Sequence, residues 1–263
     1  MKRGLLVYAR EDVPQNTRFI FYACESAQKN GLSLELRYAD TLGEGLSGYD
    51  FAVMRTRAPK LSAFVEAAGL RCFNSARFNA LANDKLLCYD TLHAQIPMLT
   101  SLDAKAHPSP PFLPCVVKPV DGHGGENVQS AYNTAQYKTA LSKIASKRAL
   151  VQPFADPGRD KRVYVLGGEV YCAMLRSSAS DFRSNYTLGG KAEAVLLTKA
   201  ERELVEAVQK LCAIDYAGVD IIYDNGRPVL NELEDPVGAR MVYENTNNDI
   251  VGDFISYISK SLR

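Results

Sequence analysis

Three carboxylates lie close together in AGVDIIYDNGRPVLNELE, the stretch from Ala217 to Glu234. Asp220 precedes, and Glu232 and Glu234 follow, the turn signal Asp224-Asn225-Gly226. Apolar runs flank that signal, the pattern of two antiparallel strands joined by a tight loop. Side chains alternate along a strand, so Glu232 and Glu234 share a face. Asp220 joins them if the loop holds an odd number of residues, and a five-residue loop from Asp224 to Pro228 sets it directly opposite Glu232. Pro228, which has no N–H for a ladder, suits the loop end. Carboxylates gathered in this way repel and raise one another's pKa unless a cation sits among them, and an all-oxygen set favours magnesium. A solvated outer face fits an isolated hairpin as well, so the choice depends on the rest of the chain.

A second group of residues could bind an anion. Cys115 to Pro119 reads as a strand carrying Lys118, and it runs into the glycine-rich loop Asp121-Gly122-His123-Gly124-Gly125-Glu126-Asn127. Glycines let backbone N–H groups approach a phosphate, and a lysine adds charge. The loop matches neither G-x-x-x-x-G-K-[ST] nor G-x-G-x-x-G, and alone it is equally a tight turn. Lys85 supplies a second cation. Polyphosphate and magnesium belong together, because magnesium is shared between carboxylates and phosphate oxygens. A third stretch, Asp181-Phe182-Arg183-Ser184-Asn185-Tyr186-Thr187-Leu188-Gly189-Gly190, is polar and ends in paired glycines. It suits either a loop over a charged ligand or a plain surface loop.

The elements that must position these groups are legible in outline. Gly4 to Ala9, Leu32 to Tyr38 and Phe51 to Arg55 read as strands, alternating with helices over Thr17 to Asn30 and Leu61 to Ala68 and followed by the apolar run Leu70 to Phe73. That alternation predicts βαβ units on a small parallel sheet. Asn83 to Leu92 reads as a helix, and the Pro-rich stretch His107 to Pro114 as a surface connection. A helix over Thr134 to Ser146 and a strand over Ala149 to Phe154 follow. Arg162 to Leu166 and Glu169 to Leu175 form a hairpin across Gly167-Gly168. Thr198-Lys199-Ala200-Glu201 is a capping box opening a helix to about Ile214.

The 263 residues suffice for one large domain or two small ones, and a net charge of +1 points to neither a nucleic-acid groove nor a membrane surface as partner. No apolar run approaches membrane-spanning length. Glu11 and Asp12 interrupt the run after Lys2 and Arg3, so no signal peptide is expected, and a cytoplasmic location is. Six dispersed cysteines without a C-x-x-C pair read as reduced, buried thiols rather than a zinc site or disulfide framework.

Taken together, Asn83-Asp84-Lys85, Val116-Val117-Lys118-Pro119 with its loop, Asp160-Lys161-Arg162-Val163-Tyr164-Val165, the Asp181 to Gly190 stretch, Gly218-Val219-Asp220 and Asn231-Glu232-Leu233-Glu234 occur in the order seen in ATP-grasp ligases. The chain most resembles the RimK-like branch, whose members join a carboxylate to an amine, commonly with glutamate or another amino acid. The resemblance implies an α/β (α+β) ATP-grasp fold. Its parts would be an N-terminal parallel-sheet preATP-grasp domain over residues 1–82, a small lobe with the glycine-rich lid over 83–150, and a large lobe with the metal hairpin over 151–263. It implies ATP and two magnesium ions as cofactors, with manganese able to substitute, and an acyl phosphate intermediate. A carboxylate and an amine, amino acid or peptide in kind, are the implied substrates. No nucleic acid or membrane partner is expected, and a homo-oligomer is left open.

Residue by residue, the resemblance assigns Lys85 and Lys118 to the phosphates and the base edge, and Gly122, His123, Gly124 and Gly125 to the lid. Gln152-Pro153-Phe154 would hold the adenine through backbone groups, Asp160 the ribose, and Arg162 and Ser184 further parts of the nucleotide. Arg183 and Asn185 would meet the terminal phosphate and the acyl group as catalytic residues, and Asp220, Glu232 and Glu234 would ligate magnesium. Three positions depart from the family. Pro153 stands where Glu is usual, Glu234 where similar members carry Asn, and Glu234-Asp235-Pro236-Val237-Gly238 replaces an Asn-x-x-Pro-Gly ending. A small-molecule kinase on the same scaffold, or a nucleotide-binding protein without catalysis, are the alternative functions. Arg55, Arg57 and Arg240 are the candidates for holding an anionic substrate.

Overall fold

The computed structural model describes residues 1–43, 45–144, 148–178 and 191–263. Strands β1 (Lys2–Tyr8), β2 (Leu32–Tyr38), β3 (Phe51–Met54) and β4 (Arg71–Phe73) form a parallel sheet in the order β2-β1-β3-β4. Every residue of β3 is buried, as a strand covered on both faces requires. Helix α1 (Thr17–Lys29) lies on one face and α2 (Pro59–Ala67) on the other. Two short helices follow, α3 (Ala76–Ala82) and α4 (Lys85–Leu92). The Asp84 side chain caps α4 by accepting from the Leu87 N–H at 2.9 Å, so the helix starts at Lys85 rather than Asn83.

The middle sheet is antiparallel in the order β5-β8-β6-β7, built from β5 (Leu102–Asp103), β6 (Cys115–Pro119), β7 (Gln129–Ala131) and β8 (Ala149–Pro153). Helix α5 (Thr134–Lys143) covers it. The third sheet holds five strands in the order β11-β10-β9-β12-β13, comprising β9 (Arg159–Leu166), β10 (Glu169–Ser177), β11 (Lys191–Val195), β12 (Tyr216–Asp224) and β13 (Arg227–Glu234). Strands β5, β7 and β11 escaped the sequence reading because they are short and carry no apolar period.

Alternation gives the third sheet two unlike faces. Val163, Val165, Ala217, Val219, Ile221 and Leu233 pack with Leu204, Val205 and Val208 of the amphipathic helix α6 (Lys199–Leu211). Both halves of the expected capping box, Thr198 and Glu201, are made. The opposite face carries Asp160, Arg162, Arg176, Asp220, Glu232 and Glu234 toward one end, and Tyr164, Met174 and Tyr216 toward the other. The apolar end is closed by α7 (Arg240–Asn245), α8 (Ile250–Ser261) and the first sheet, whose α1 packs on α8. The polar end stays open as the wall of a cleft.

The carboxylate hairpin forms, with a shorter loop than expected. Asn225 (φ 50°) and Gly226 (φ 77°) make a two-residue turn, so Asp224 pairs with Arg227 and Pro228 lies within β13 opposite Tyr223. Proline is tolerated there because β13 is an edge strand. Asn231 then bulges out of the ladder between Leu230, opposite Ile221, and Glu232, opposite Asp220.

Candidate active site

Asp220 is fully buried on β12, directly opposite Arg162 on β9 and Glu232 on β13. Its Oδ1 accepts from Arg162 Nε at 2.7 Å, and its Oδ2 accepts from Arg162 Nη2 and Arg176 Nη2, each at 2.7 Å. Burial works against the charge on Asp220, but the two guanidiniums outweigh it and hold the carboxyl at about 2. Glu234 Oε2 accepts from Arg162 Nη2 at 3.2 Å, and its Oε1 from Arg57 Nη2 at 3.4 Å. Glu232 Oε2 lies 3.2 Å from Lys85 Nζ. Burial also opposes the charge on Glu232, and Lys85 leads the groups that bring its carboxyl below the usual range.

One oxygen from each of Asp220, Glu232 and Glu234 lies within 4.8 Å of the others. Three hard oxygen donors on one strand pair fit a divalent cation of the magnesium type. The expectation drawn from strand parity is met, although a bulge rather than a long loop brings it about.

A cleft of about 830 Å³, continuous with solvent, lies between this face and β6 of the middle sheet. Lys85, Lys118, Gly122, His123, Gly125, Phe154 and Asp160 line it together with Glu232. Lys118 Nζ donates to Asn231 Oδ1 at 3.0 Å, and burial pushes its ammonium down to about 8 despite Glu232 nearby. Lys85 Nζ also donates to the Gly122 carbonyl, tying α4 to the glycine loop. The cleft thus sets two lysines and a glycine loop against Glu232, the member of the carboxylate cluster that lines it.

The other residues singled out in the sequence are placed differently. Gln152 turns its side chain into the middle sheet, where Nε2 donates to Ser101 Oγ at 2.6 Å. Pro153 pairs with Cys115, and neither Gln152 nor Pro153 lines the cleft. The Phe154 N–H, expected to face the adenine, donates to the Pro114 carbonyl at 3.3 Å. Asp160 lines the cleft while its carboxylate accepts from Arg176 Nε and Nη2 at 2.5 and 2.9 Å. Arg162 serves Asp220 and Glu234 and does not line the cleft. Gly124 belongs to the loop without lining the cleft. Arg183, Ser184 and Asn185 lie outside the described residues.

Sequence reasoning passed over three contributors. Arg176 sits one residue past the strand read to Leu175, and it faces Asp160 only because β10 bulges at Tyr171. Asn231 was read as one residue of a motif, and the bulge makes it the partner of Lys118. Asp235 is buried beneath the site, accepting from Asn74 Nδ2 and Asn79 Nδ2 at 3.0 and 2.9 Å. Burial pushes its carboxyl up to about 6 against those two amide donors.

Residues 103–258, more than half of the chain, match the RimK-like ATP-grasp domain family. The chain belongs to the RimK-like ATP-grasp family. A Maridesulfovibrio salexigens protein named "Probable alpha-L-glutamate ligase" is 30% identical over 239 residues, covering 83% of this chain and 79% of that protein. A protein of the same name from Methanococcoides burtonii is 34% identical over 153 residues, 56% of this chain. The match spans about half of that relative's length, 51%. Among solved structures, the D-cycloserine synthetase DcsG superposes with a TM-score of 0.76 over 99% of this chain and 100% of its own, at 16% identity. At that identity the likeness bears on the fold, and it places the parallel first sheet inside the shared architecture of this RimK-like ATP-grasp chain. Among the described residues no helix is long and apolar enough to cross a membrane.

Proposed function

We propose that this chain is an ATP-dependent carboxylate–amine ligase that forms an amide or peptide bond through an acyl phosphate, adding glutamate or another amino acid to a small molecule or peptide. The observation that carries this is the meeting of Lys85, Lys118 and the glycine loop at one cleft with Glu232, whose carboxylate is clustered with those of Asp220 and Glu234. Membership of the RimK-like family supports the same reading.

Lys85 and Lys118 bind and orient the ATP phosphates, and Gly122 to Gly125 cover them. Asp220, Glu232 and Glu234 are the residues that would hold magnesium, as two ions, with manganese able to substitute. When bound, the metal supplies positive charge against the phosphate oxygens. A carboxylate oxygen of the acid substrate attacks the terminal phosphorus and ADP leaves. The amine then attacks the acyl carbon, and inorganic phosphate departs with the former carboxylate oxygen. Closure of the loop excludes water from the acyl phosphate. Arg183, Ser184 and Asn185 enter this scheme through the family resemblance alone.

We assign residues 1–82, 83–150 and 151–263 to the three parts of the machine, with strand β8 lying across the second boundary. Cytoplasmic location is part of the proposal, supported by six cysteines that are all free thiols. The test is incubation with ATP, magnesium and an acid labelled with heavy oxygen in its carboxylate, screened against amines. Label in the released phosphate, with ADP release that rises on adding amine, supports the ligase. Productive pairs that transfer no label, or ADP release indifferent to amine, overturn it.

A further inference from the structure

Helix α1 has two unlike faces. Phe19, Ala23 and Ala27 are buried between the first sheet and α8, and Ile20 and Cys24 pack beside them. The opposite face carries Arg18, Phe21, Tyr22, Glu25, Gln28 and Lys29, every one of them exposed.

Two of these are large and aromatic. Phe21 is 65% exposed and Tyr22 44%. Their rings meet edge to face at 5.9 Å, and the Tyr22 ring lies 6.1 Å from that of Tyr243 on α7, itself exposed. Three adjoining aromatic rings at the surface form an apolar patch with charged residues around it, the composition of a protein–protein contact.

The charges around the patch say what covers it. Arg18 and Glu25 are about two helical turns apart, on one line down the exposed face, with Phe21 and Tyr22 on either side of its midpoint. Among the described residues Arg18 makes no hydrogen bond or ion pair. Glu25 has Lys29 at 2.9 Å, and its side chain remains open to solvent. A second α1 laid antiparallel on this face, with a two-fold axis between Phe21 and Tyr22, sets each Arg18 beside the Glu25 of the other copy and each Phe21 beside the other Tyr22. The same operation sets Gln15 beside Gln28 and Pro14 beside Lys29, so no like charges meet. Sliding one copy by a single residue places Arg18 against Cys24 or Ser26 and loses the match. A parallel arrangement places Arg18 on Arg18 and Glu25 on Glu25. The face is therefore complementary to itself in one antiparallel register.

We propose that the outer face of α1 is the contact between two copies of this chain, an isologous dimer anchored by Phe21 and Tyr22 and registered by reciprocal Arg18–Glu25 pairs. The aromatic rings supply affinity and the ion pairs select the register. None of these residues lines the cleft described above, so the dimer stands independently of the ligase reading.

The test is sedimentation velocity on the full chain over a concentration series. The wild-type mass should rise from one copy to two. Phe21→Ser should shift that transition to higher concentration. Arg18→Glu sets Glu against Glu25 twice across the axis, and Glu25→Arg sets Arg against Arg18 twice, so each single reversal should weaken the dimer about tenfold or more. An equal mixture of the two single variants regains both pairs and should dimerise where neither does alone. A mass of one copy for the wild type at every concentration overturns the proposal. So does a dimer that survives either single reversal, or single variants that stay monomeric when mixed. Thermal melts verify that each variant folds.

Discussion

Asp220 and Glu232 face each other across β12 and β13 because Asn231 is extruded between them. The two-residue turn at Asn225-Gly226, continued as a regular ladder, would set Asp220 against Asn231 and send Glu232 and Glu234 to the face covered by α6. The bulge restores the parity that gathers three carboxylates and hands the extra side chain to Lys118. A backbone irregularity thus gathers the carboxylate cluster and supplies the partner of Lys118 together.

Asn231→Ala is expected to keep the bulge and the carboxylates while removing the acceptor of Lys118 Nζ. Loss of that one hydrogen bond corresponds to about 0.5–1.5 kcal/mol, or nucleotide affinity weakened by roughly 2- to 13-fold. Titration with a fluorescent nucleotide, with and without magnesium, measures it. Affinity equal to wild type would show that the contact does not position Lys118.

Asp220→Asn and Glu232→Gln should behave differently although both remove a carboxylate from the cluster. Asp220 lies between two buried guanidiniums, and removing its charge leaves them without it, a loss of about 3–5 kcal/mol. Glu232 faces an open cleft and one lysine, so Glu232→Gln should unfold within a few degrees of wild type yet turn over more than about 100-fold more slowly. Thermal melts and ADP release separate the two. The acid limb follows from the same pair: the folded Asp220 carboxyl, at about 2, sits below its ordinary 3.8, so its contribution is complete above 3.8 and lost as pH falls through 2. Asp220→Asn should flatten that limb.

Lys118, held near 8 by burial, is largely neutral in the free protein at pH 8.5. Phosphate oxygens beside it favour the ammonium, so nucleotide binding at that pH should take up a proton. Calorimetry in buffers of different ionisation enthalpy would read a positive uptake at pH 8.5 that fades toward pH 6.5 and is absent in Lys118→Met. Between 8 and the ordinary 10.5 the unfolded lysine binds more protons than the folded one, so this group's contribution to stability rises with pH across that window.

Asn74 is the joint between the first and third sheets. Its Oδ1 accepts from the Asp215 and Tyr216 N–H groups at 2.8 and 3.0 Å, and its Nδ2 donates to the Tyr216 carbonyl and to Asp235 at 2.7 and 3.0 Å. Asn74→Ala leaves these buried groups unpaired and should lower stability by about 2–4 kcal/mol in urea titration. A change below about 0.5 kcal/mol would mean that water replaces the amide.

By itself the sequence determined the parts whose signals are local. The apolar runs of β1 to β3, the capping box of α6, the Asn-Gly and Gly-Gly turns and the alternation of Glu232 with Glu234 are written over a few residues each, and each formed. The tertiary structure decided parity and partnership. Bulges at Tyr171 and Asn231 changed which residues oppose Asp160 and Asp220, and a bulge depends on packing across strands rather than on local propensity. Arg57 and Glu234 lie 177 residues apart in the chain, as do distant partners such as Lys118 and Asn231, 113 apart, and no pattern of neighbours links them. The kinds of group the site would need were legible in the chain; which of them meet was settled by the way three sheets fold onto one another.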